Sequence, residues 1–166
     1  MRVLGVDPGT RFLGYGVIDV EDDSTTCVDW GTIEGGSSKL VHERLYRIQT
    51  ALTEVAERWR PDHLAIEEPF VAPQRGAKSA IAVGQAQAVA LLLAASLNME
   101  VHRYGPSQVK SAVANYGAGS KAQVQRTVQL VLGLPREPMS EDASDALAVA
   151  LCHLQHWRAA ARMGVT

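Results

Sequence analysis

Val3-Leu4-Gly5-Val6-Asp7-Pro8-Gly9-Thr10 is the stretch on which the fold turns. Residues 3–6 form a short apolar run. Asp-Pro-Gly is turn chemistry: Pro presets φ, Gly adopts backbone angles closed to other residues, and Asp bonds to nearby backbone. The reading is a strand over residues 3–6 with a carboxylate at its end. Working outward, residues 14–20 and 26–33 read as two further strands, separated by the polar turn 21–24. Three strands with short connections predict an antiparallel meander.

Beyond residue 40 the period changes. Val41, Leu45, Ile48, Leu52, Val55 and Trp59 recur at steps of four and three, which is one face of an amphipathic helix, and Pro61 lies just past its end. Residues 63–67 read as a short strand, and 68–76 as a loop with two prolines. Residues 77–97 read as a long Ala-rich helix, and 100–104 as a fifth strand stopped by Gly105-Pro106. Three helices follow: 107–115, one opened by the capping box Ser120-x-x-Gln123 and ended at Gly133, and 142–160. Helices between strands three and four, and between four and five, imply crossovers and parallel pairing. The expected fold class is α/β, with one domain over residues 1–166: a five-stranded mixed sheet with helices on both faces.

Composition narrows the function. Apolar residues make up 46% and charged residues 20% of the 166, enough for a buried core and against disorder. Cys27 and Cys152 match no metal or redox spacing and exclude a disulfide scaffold, so a reduced, cytoplasmic compartment is expected. The first residues show no secretory pattern. The longest apolar run, residues 88–97, is too short for a bilayer, so no membrane partner is expected. The net charge of −2 hides an asymmetry. Residues 1–70 hold 7 Lys and Arg against 13 Asp and Glu, whereas residues 71–136 hold 7 basic residues against Glu100 alone. A polyanion is the partner that such a basic middle third suits, although scattered surface charge serves solubility too.

The acids point to chemistry. Asp7 and Glu67 each end an apolar strand, and both would lie at the carboxyl edge of a sheet, where α/β folds place their sites. Turn formation alone accounts for Asp7, but a carboxylate beside Ala65-Ile66 needs solvent or an ionic partner. Asp142 and Asp145 lie three apart on one face of the last helix. The helix dipole favours acids in a first turn, but like charges at this spacing repel by a few tenths of a kcal/mol. Glu141 adds a third acid. If the strands carrying Asp7 and Glu67 are parallel neighbours, four carboxylates from three elements share one cleft, and they cannot all ionise cheaply without a counter-charge. Hard oxygen donors suit Mg²⁺ or Mn²⁺, and two such ions support in-line phosphodiester hydrolysis.

Taken together, these stretches resemble the RuvC family of bacterial Holliday-junction resolvases. The resemblance rests on Leu4-Gly5-Val6-Asp7-Pro8-Gly9 with Gly14-Tyr15-Gly16-Val17, Leu64-Ala65-Ile66-Glu67, Val83-Gly84-Gln85-Ala86, Gln108-Val109-Lys110, and Asp142-Ala143-Ser144-Asp145-Ala146-Leu147-Ala148, in that order. It implies an RNase H-like fold, a homodimer, and Mg²⁺-dependent nicking of four-way DNA junctions in recombination and repair, with Mn²⁺ able to substitute and two ions per site. It assigns catalytic and metal-holding roles to Asp7, Glu67, Asp142 and Asp145, and DNA-phosphate contacts to Lys110 and Lys121. Phe70 matches the family's aromatic that stacks on a base near the crossover. Arg75 and Lys78, in the loop that follows, are expected at the DNA. The branch-migration proteins RuvA and RuvB are the implied partners. Gln87-Ala88 stands where the family often has Arg-Gly.

Other readings stay open at this point. Asp7-Pro8-Gly9-Thr10 also resembles the phosphate loop of actin-like and sugar-kinase ATP-binding domains, which need two such domains around their cleft. An RNA-processing relative of the same fold would lack the Asp-x-x-Asp pair, and a binding-only module would not need every carboxylate. Phe70 also suits a core position, and Lys110 and Lys121 suit a helix surface. His153 and His156 are expected as surface or core residues rather than metal ligands. Trp30, Trp59 and Tyr104 are expected to serve packing.

Overall fold

Alternation along the first strand decides which helices lie on which side of the sheet. In β1 (Arg2–Asp7), Val3, Gly5 and Asp7 point one way, and Leu4 and Val6 the other. The computed structural model describes residues 1–21, 24–68, 77–114, 120–135 and 139–164. In it β1 is followed by β2 (Phe12–Glu21), β3 (Ser24–Glu34), α1 (Val41–Trp59), β4 (His63–Glu67), α2 (Ala77–Ser96), β5 (Glu100–Tyr104), α3 (Pro106–Ala114), α4 (Lys121–Val131) and α5 (Glu141–Arg162). The sheet order is β3-β2-β1-β4-β5. β1, β2 and β3 form the antiparallel meander, whereas β4 runs parallel to both β1 and β5. This is the expected mixed sheet, with both crossover helices in place.

Leu4, Val6, Leu13, Val17, Leu64 and Ile66 are buried under α1 and α2, through Ile48, Leu52 and Ala56 of α1 and Ala90, Leu93 and Ala94 of α2. On the other face Val3, Ile18, Val20, Ala65 and Tyr104 are buried under α3, α4 and α5. Each of the largest of these apolar side chains contributes about 1.5–3 kcal/mol by burial. α5 is the central helix of that face: an unbroken run from Ala146 to Leu154 is buried.

α5 can lie so near the sheet because β1 and β2 offer it glycines. A Cβ on Gly5 would collide with the Ala146 carbonyl, one on Gly14 with the Asp142 carbonyl, and one on Gly16 with the Leu147 side chain. The Gly-x-Gly of β2 is therefore a packing requirement for α5, rather than turn chemistry.

By length and composition alone α2 could cross a membrane, since its apolar stretch begins well before residue 88. Its buried face lies in the core described above. The opposite face leaves Ile81 60% and Leu92 72% exposed. Trp30, expected as a packing residue, is 38% exposed. The Trp59 indole donates to Asp29 at 2.6 Å.

Candidate active site

The pleat and the strand register bring the acids together. Val6 pairs with Ile66 in the parallel β1–β4 ladder, so Asp7 and Glu67 are next to each other at its carboxyl end. Both follow the alternation that points Val3, Gly5 and Ala65 at α5. Asp7 also pairs with Gly14 across the antiparallel ladder, and Gly14 is the residue against which the Asp142 backbone rests. The first turn of α5 is thereby set over the ends of β1 and β4. Ser140 caps that turn, accepting from the Ala143 amide at 3.2 Å, and its hydroxyl lies 2.6 Å from that of Thr32 on β3. This cap and the glycines that seat α5 are what the sequence reading missed. The Ser-x-x pattern before an acidic first turn is the signal that marks the cap.

Electrostatics record the convergence. Burial first, then the negative charges of Asp145, Glu67 and Asp142, push the Asp7 carboxyl from its ordinary 3.8 up to about 7, against a lowering effect of Lys121. Asp145 is also raised, again mainly by burial, with Glu141 and Asp142 raising it and Lys121 and Lys110 lowering it. The charges of Asp145, Glu67 and Asp142 thus all reach Asp7 in one half-buried cleft. Crowded oxygen donors that hold a proton near neutral pH are short of positive charge, and a hard divalent cation fits that donor set.

Of the expected DNA contacts, Lys110 and Lys121 are on the rim of this cleft, close enough for their charges to act on Asp145. Lys121 has an in-protein partner: its ammonium donates to Glu141 at 2.6 Å, which holds its pKa up. That ion pair is exposed on both sides, so it is worth at most about 1 kcal/mol and leaves the lysine able to exchange partners. The Ser120–Gln123 capping box that starts α4 is formed as expected. Lys78 is exposed in the first turn of α2. Phe70 and Arg75 lie outside the described residues.

Comparison with known proteins follows the same lines. The family model described as crossover junction endodeoxyribonuclease RuvC matches residues 3–153. A protein of that name from Dehalococcoides mccartyi is 45% identical over 156 residues, covering 94% of this chain and 93% of the relative. Another, from Syntrophomonas wolfei, is 44% identical over 158 residues, covering 95% and 91%. Among solved structures, Thermus thermophilus RuvC in complex with a Holliday junction substrate superimposes with a TM-score of 0.83 at 35% identity, covering 99% of this chain and 98% of that one. The yeast mitochondrial Holliday junction resolvase Ydc2, 15% identical with a TM-score of 0.67, shares the fold. On a match that spans almost its whole length, this chain belongs to the RuvC family of crossover junction endodeoxyribonucleases.

Proposed function

We propose that residues 1–166 act as one nuclease domain that resolves four-way DNA junctions by paired, symmetric, metal-dependent nicks, serving homologous recombination and repair in the bacterial cytoplasm. The observation that carries the reading is the cleft itself. Asp7, Glu67, Asp142 and Asp145 come from β1, β4 and α5 to one sheet edge, and they share a deficit of positive charge. These four carboxylates would hold Mg²⁺, with Mn²⁺ able to replace it and two ions as the expected complement. When bound, such ions activate a water and stabilise the leaving oxygen of an in-line displacement. The protein's part is positioning. The β1–β4 ladder fixes Asp7 against Glu67, and the capped first turn of α5 holds Asp142 and Asp145 over them. Lys110 and Lys121 offer ammonium groups to DNA phosphates. By family likeness Phe70 stacks on an unpaired base at the crossover, Arg75 and Lys78 meet the backbone, and RuvA and RuvB are partners.

A gel assay with a synthetic four-way junction and a linear duplex of the same sequence tests this reading. Junction-selective binding without Mg²⁺ and junction cleavage with it are the expected results. Equal affinity for the two DNAs, or binding without any cleavage, would overturn it.

Lys110→Ala and Lys121→Ala are each expected to weaken junction binding and cleavage. Each lost phosphate contact should reduce the log–log salt slope by about 0.9. An unchanged slope in both variants would place the DNA elsewhere.

Two nicks in strands of like polarity call for two clefts, and this chain supplies one carboxylate cluster. A symmetric homodimer places two clusters on one junction. Ile81, Ala88, Leu92 and Ala95 form an exposed stripe on α2, and a Cβ on Gly84 in the same stripe would meet nothing. A large apolar stripe with small residues suits close helix contact. Light scattering at micromolar concentration is expected to give twice 17.9 kDa, and Leu92→Glu to give the single-chain mass. A dimer unaffected by Leu92→Glu would move the interface off this stripe.

A further inference from the structure

Three imidazoles meet where α5 crosses the β4–β5 pair. His63 begins β4 and His102 is the middle residue of β5, diagonal neighbours on the face that carries Ala65 and Tyr104. His153 of α5 descends onto them and is 1% exposed. Its Nε2 is 3.0 Å from His63 Nδ1, and its Nδ1 is 2.8 Å from the Tyr104 hydroxyl. The His102 and His153 ring centroids are 4.3 Å apart. His102 Nε2 is buried without a hydrogen-bond partner; the Glu100 carboxylate is 3.1 Å from it but not aligned to accept. One nitrogen from each of His63, His102 and His153 lies within 4.8 Å of the others. This cluster is separate from the carboxylate cleft: eight residues of α5, about 12 Å, part His153 from Asp145.

We propose that His63, His102 and His153 form a second metal site, one for a borderline divalent transition ion of the zinc type, with Glu100 as the acid able to complete it. Three neutral imidazoles and one open or carboxylate position form a familiar donor set for zinc, whereas Mg²⁺ prefers oxygen. Zinc–nitrogen bonds of about 2.0–2.1 Å put tetrahedral ligand atoms about 3.4 Å apart, so the ligand atoms need only small side-chain adjustments. Binding requires lone pairs on the three facing nitrogens. The proton now shared between His63 and His153 moves to an outer ring nitrogen. On His153 that nitrogen is Nδ1, which then donates to the Tyr104 oxygen and fixes the ring. A cavity of about 850 Å³ at the start of β4 and β5 is lined by His63 and Glu100, and also by Glu57 and Asp62, with Arg60 as the opposing charge. The site would clamp β4, β5 and α5 behind the cleft.

Calorimetric titration of the full-length protein with Zn²⁺ tests this, with Mg²⁺ in large excess to hold the carboxylates. One zinc per chain is expected. His102→Asn and His63→Gln should each weaken it by about 100-fold or more, and Tyr104→Phe by roughly 10-fold, as for other supporting partners of metal-bound histidines. Asp145→Asn should leave zinc affinity unchanged. Cobalt(II) should show the intense visible absorption of a four- or five-coordinate nitrogen site, and lose it in His102→Asn. Zinc binding that is absent, that is the same in wild type and both histidine variants, or that disappears in Asp145→Asn would overturn the proposal.

Discussion

Asp7→Asn is expected to abolish junction cleavage and, in the metal-free protein above neutral pH, to make the fold more stable. Both effects have one cause. Asp7 is forced to share a half-buried cleft with Asp145, Glu67 and Asp142, and its carboxyl is pushed from 3.8 to about 7. Between those values the native state holds a proton that the unfolded chain has released. The stability contributed by this group is therefore complete below about pH 4 and declines as pH rises through 7. Three pKa units correspond to about 4 kcal/mol, an upper figure for a group that solvent still reaches. Asn carries no charge, so the gap between variant and wild type should be small at pH 4, widen between pH 4 and 7, and be at its full size by pH 8. Saturating Mg²⁺ should close it, because the ion provides the counter-charge that wild type lacks. Paired thermal melts at pH 4 and pH 8, with and without Mg²⁺, check the stability half, and a junction-cleavage gel checks the other. Junction binding should survive or improve, since affinity comes from basic residues. A variant that cuts at near wild-type rate would show that Asp7 is only a turn residue. Glu67→Gln and Asp145→Asn should likewise be inactive. Asp142→Asn should be severely impaired, with Asp145 close enough to substitute in part.

Gly14→Ala should inactivate the protein without touching a charged group. The added methyl falls on the Asp142 carbonyl oxygen, backbone on both sides, so it cannot be relieved by a rotamer change. Either β2 or the start of α5 must move. Overpacking of this kind costs about 1–3 kcal/mol, and the displacement falls on the turn that holds Asp142 and Asp145. A shift of about 1 Å in catalytic geometry costs on the order of 100-fold in rate. Cleavage should therefore fall by roughly two orders of magnitude or more, with a thermal midpoint several degrees lower and junction affinity nearly unchanged. An alanine variant with full activity would mean that α5 is not seated by this contact. Gly133→Ala makes a useful contrast. Its φ of +63° strains any side chain, but nothing lies within 4 Å, so it should cost stability and not the chemistry.

The sequence was most legible where one element reports its own period. The alternating steps from Val41 to Trp59 place α1 within its observed bounds, and β4 and β5 coincide with the residues read as strands. Ser120 and Gln123 marked a helix start because a capping box is wholly local. The four acids could be grouped because Asp7 and Glu67 each end a strand, and parallel pairing then makes them neighbours. What stayed hidden depends on distance through space. Gly14 and Gly16 read as features of a strand, and only the docked α5 shows that they leave room for a helix backbone. His63 and His102 are 39 positions apart in sequence, and His153 a further 51; the β4–β5 register and the descent of α5 are what join them. The same limit applies to Lys121. Its exposed pairing with Glu141, 20 residues on, joins the starts of two helices and appears only in the folded chain.

The central claim is that Asp7, Glu67, Asp142 and Asp145 together hold the metal that cuts the junction. Anomalous diffraction from crystals grown with a nuclease-resistant four-way junction and soaked in Mn²⁺ tests it most directly. The account predicts anomalous peaks among these four side chains, with carboxylate oxygens about 2.0–2.2 Å away, and the disappearance of the peaks in Asp145→Asn. Peaks elsewhere on the protein, or a cleft that stays without manganese while the DNA is bound in it, would contradict it.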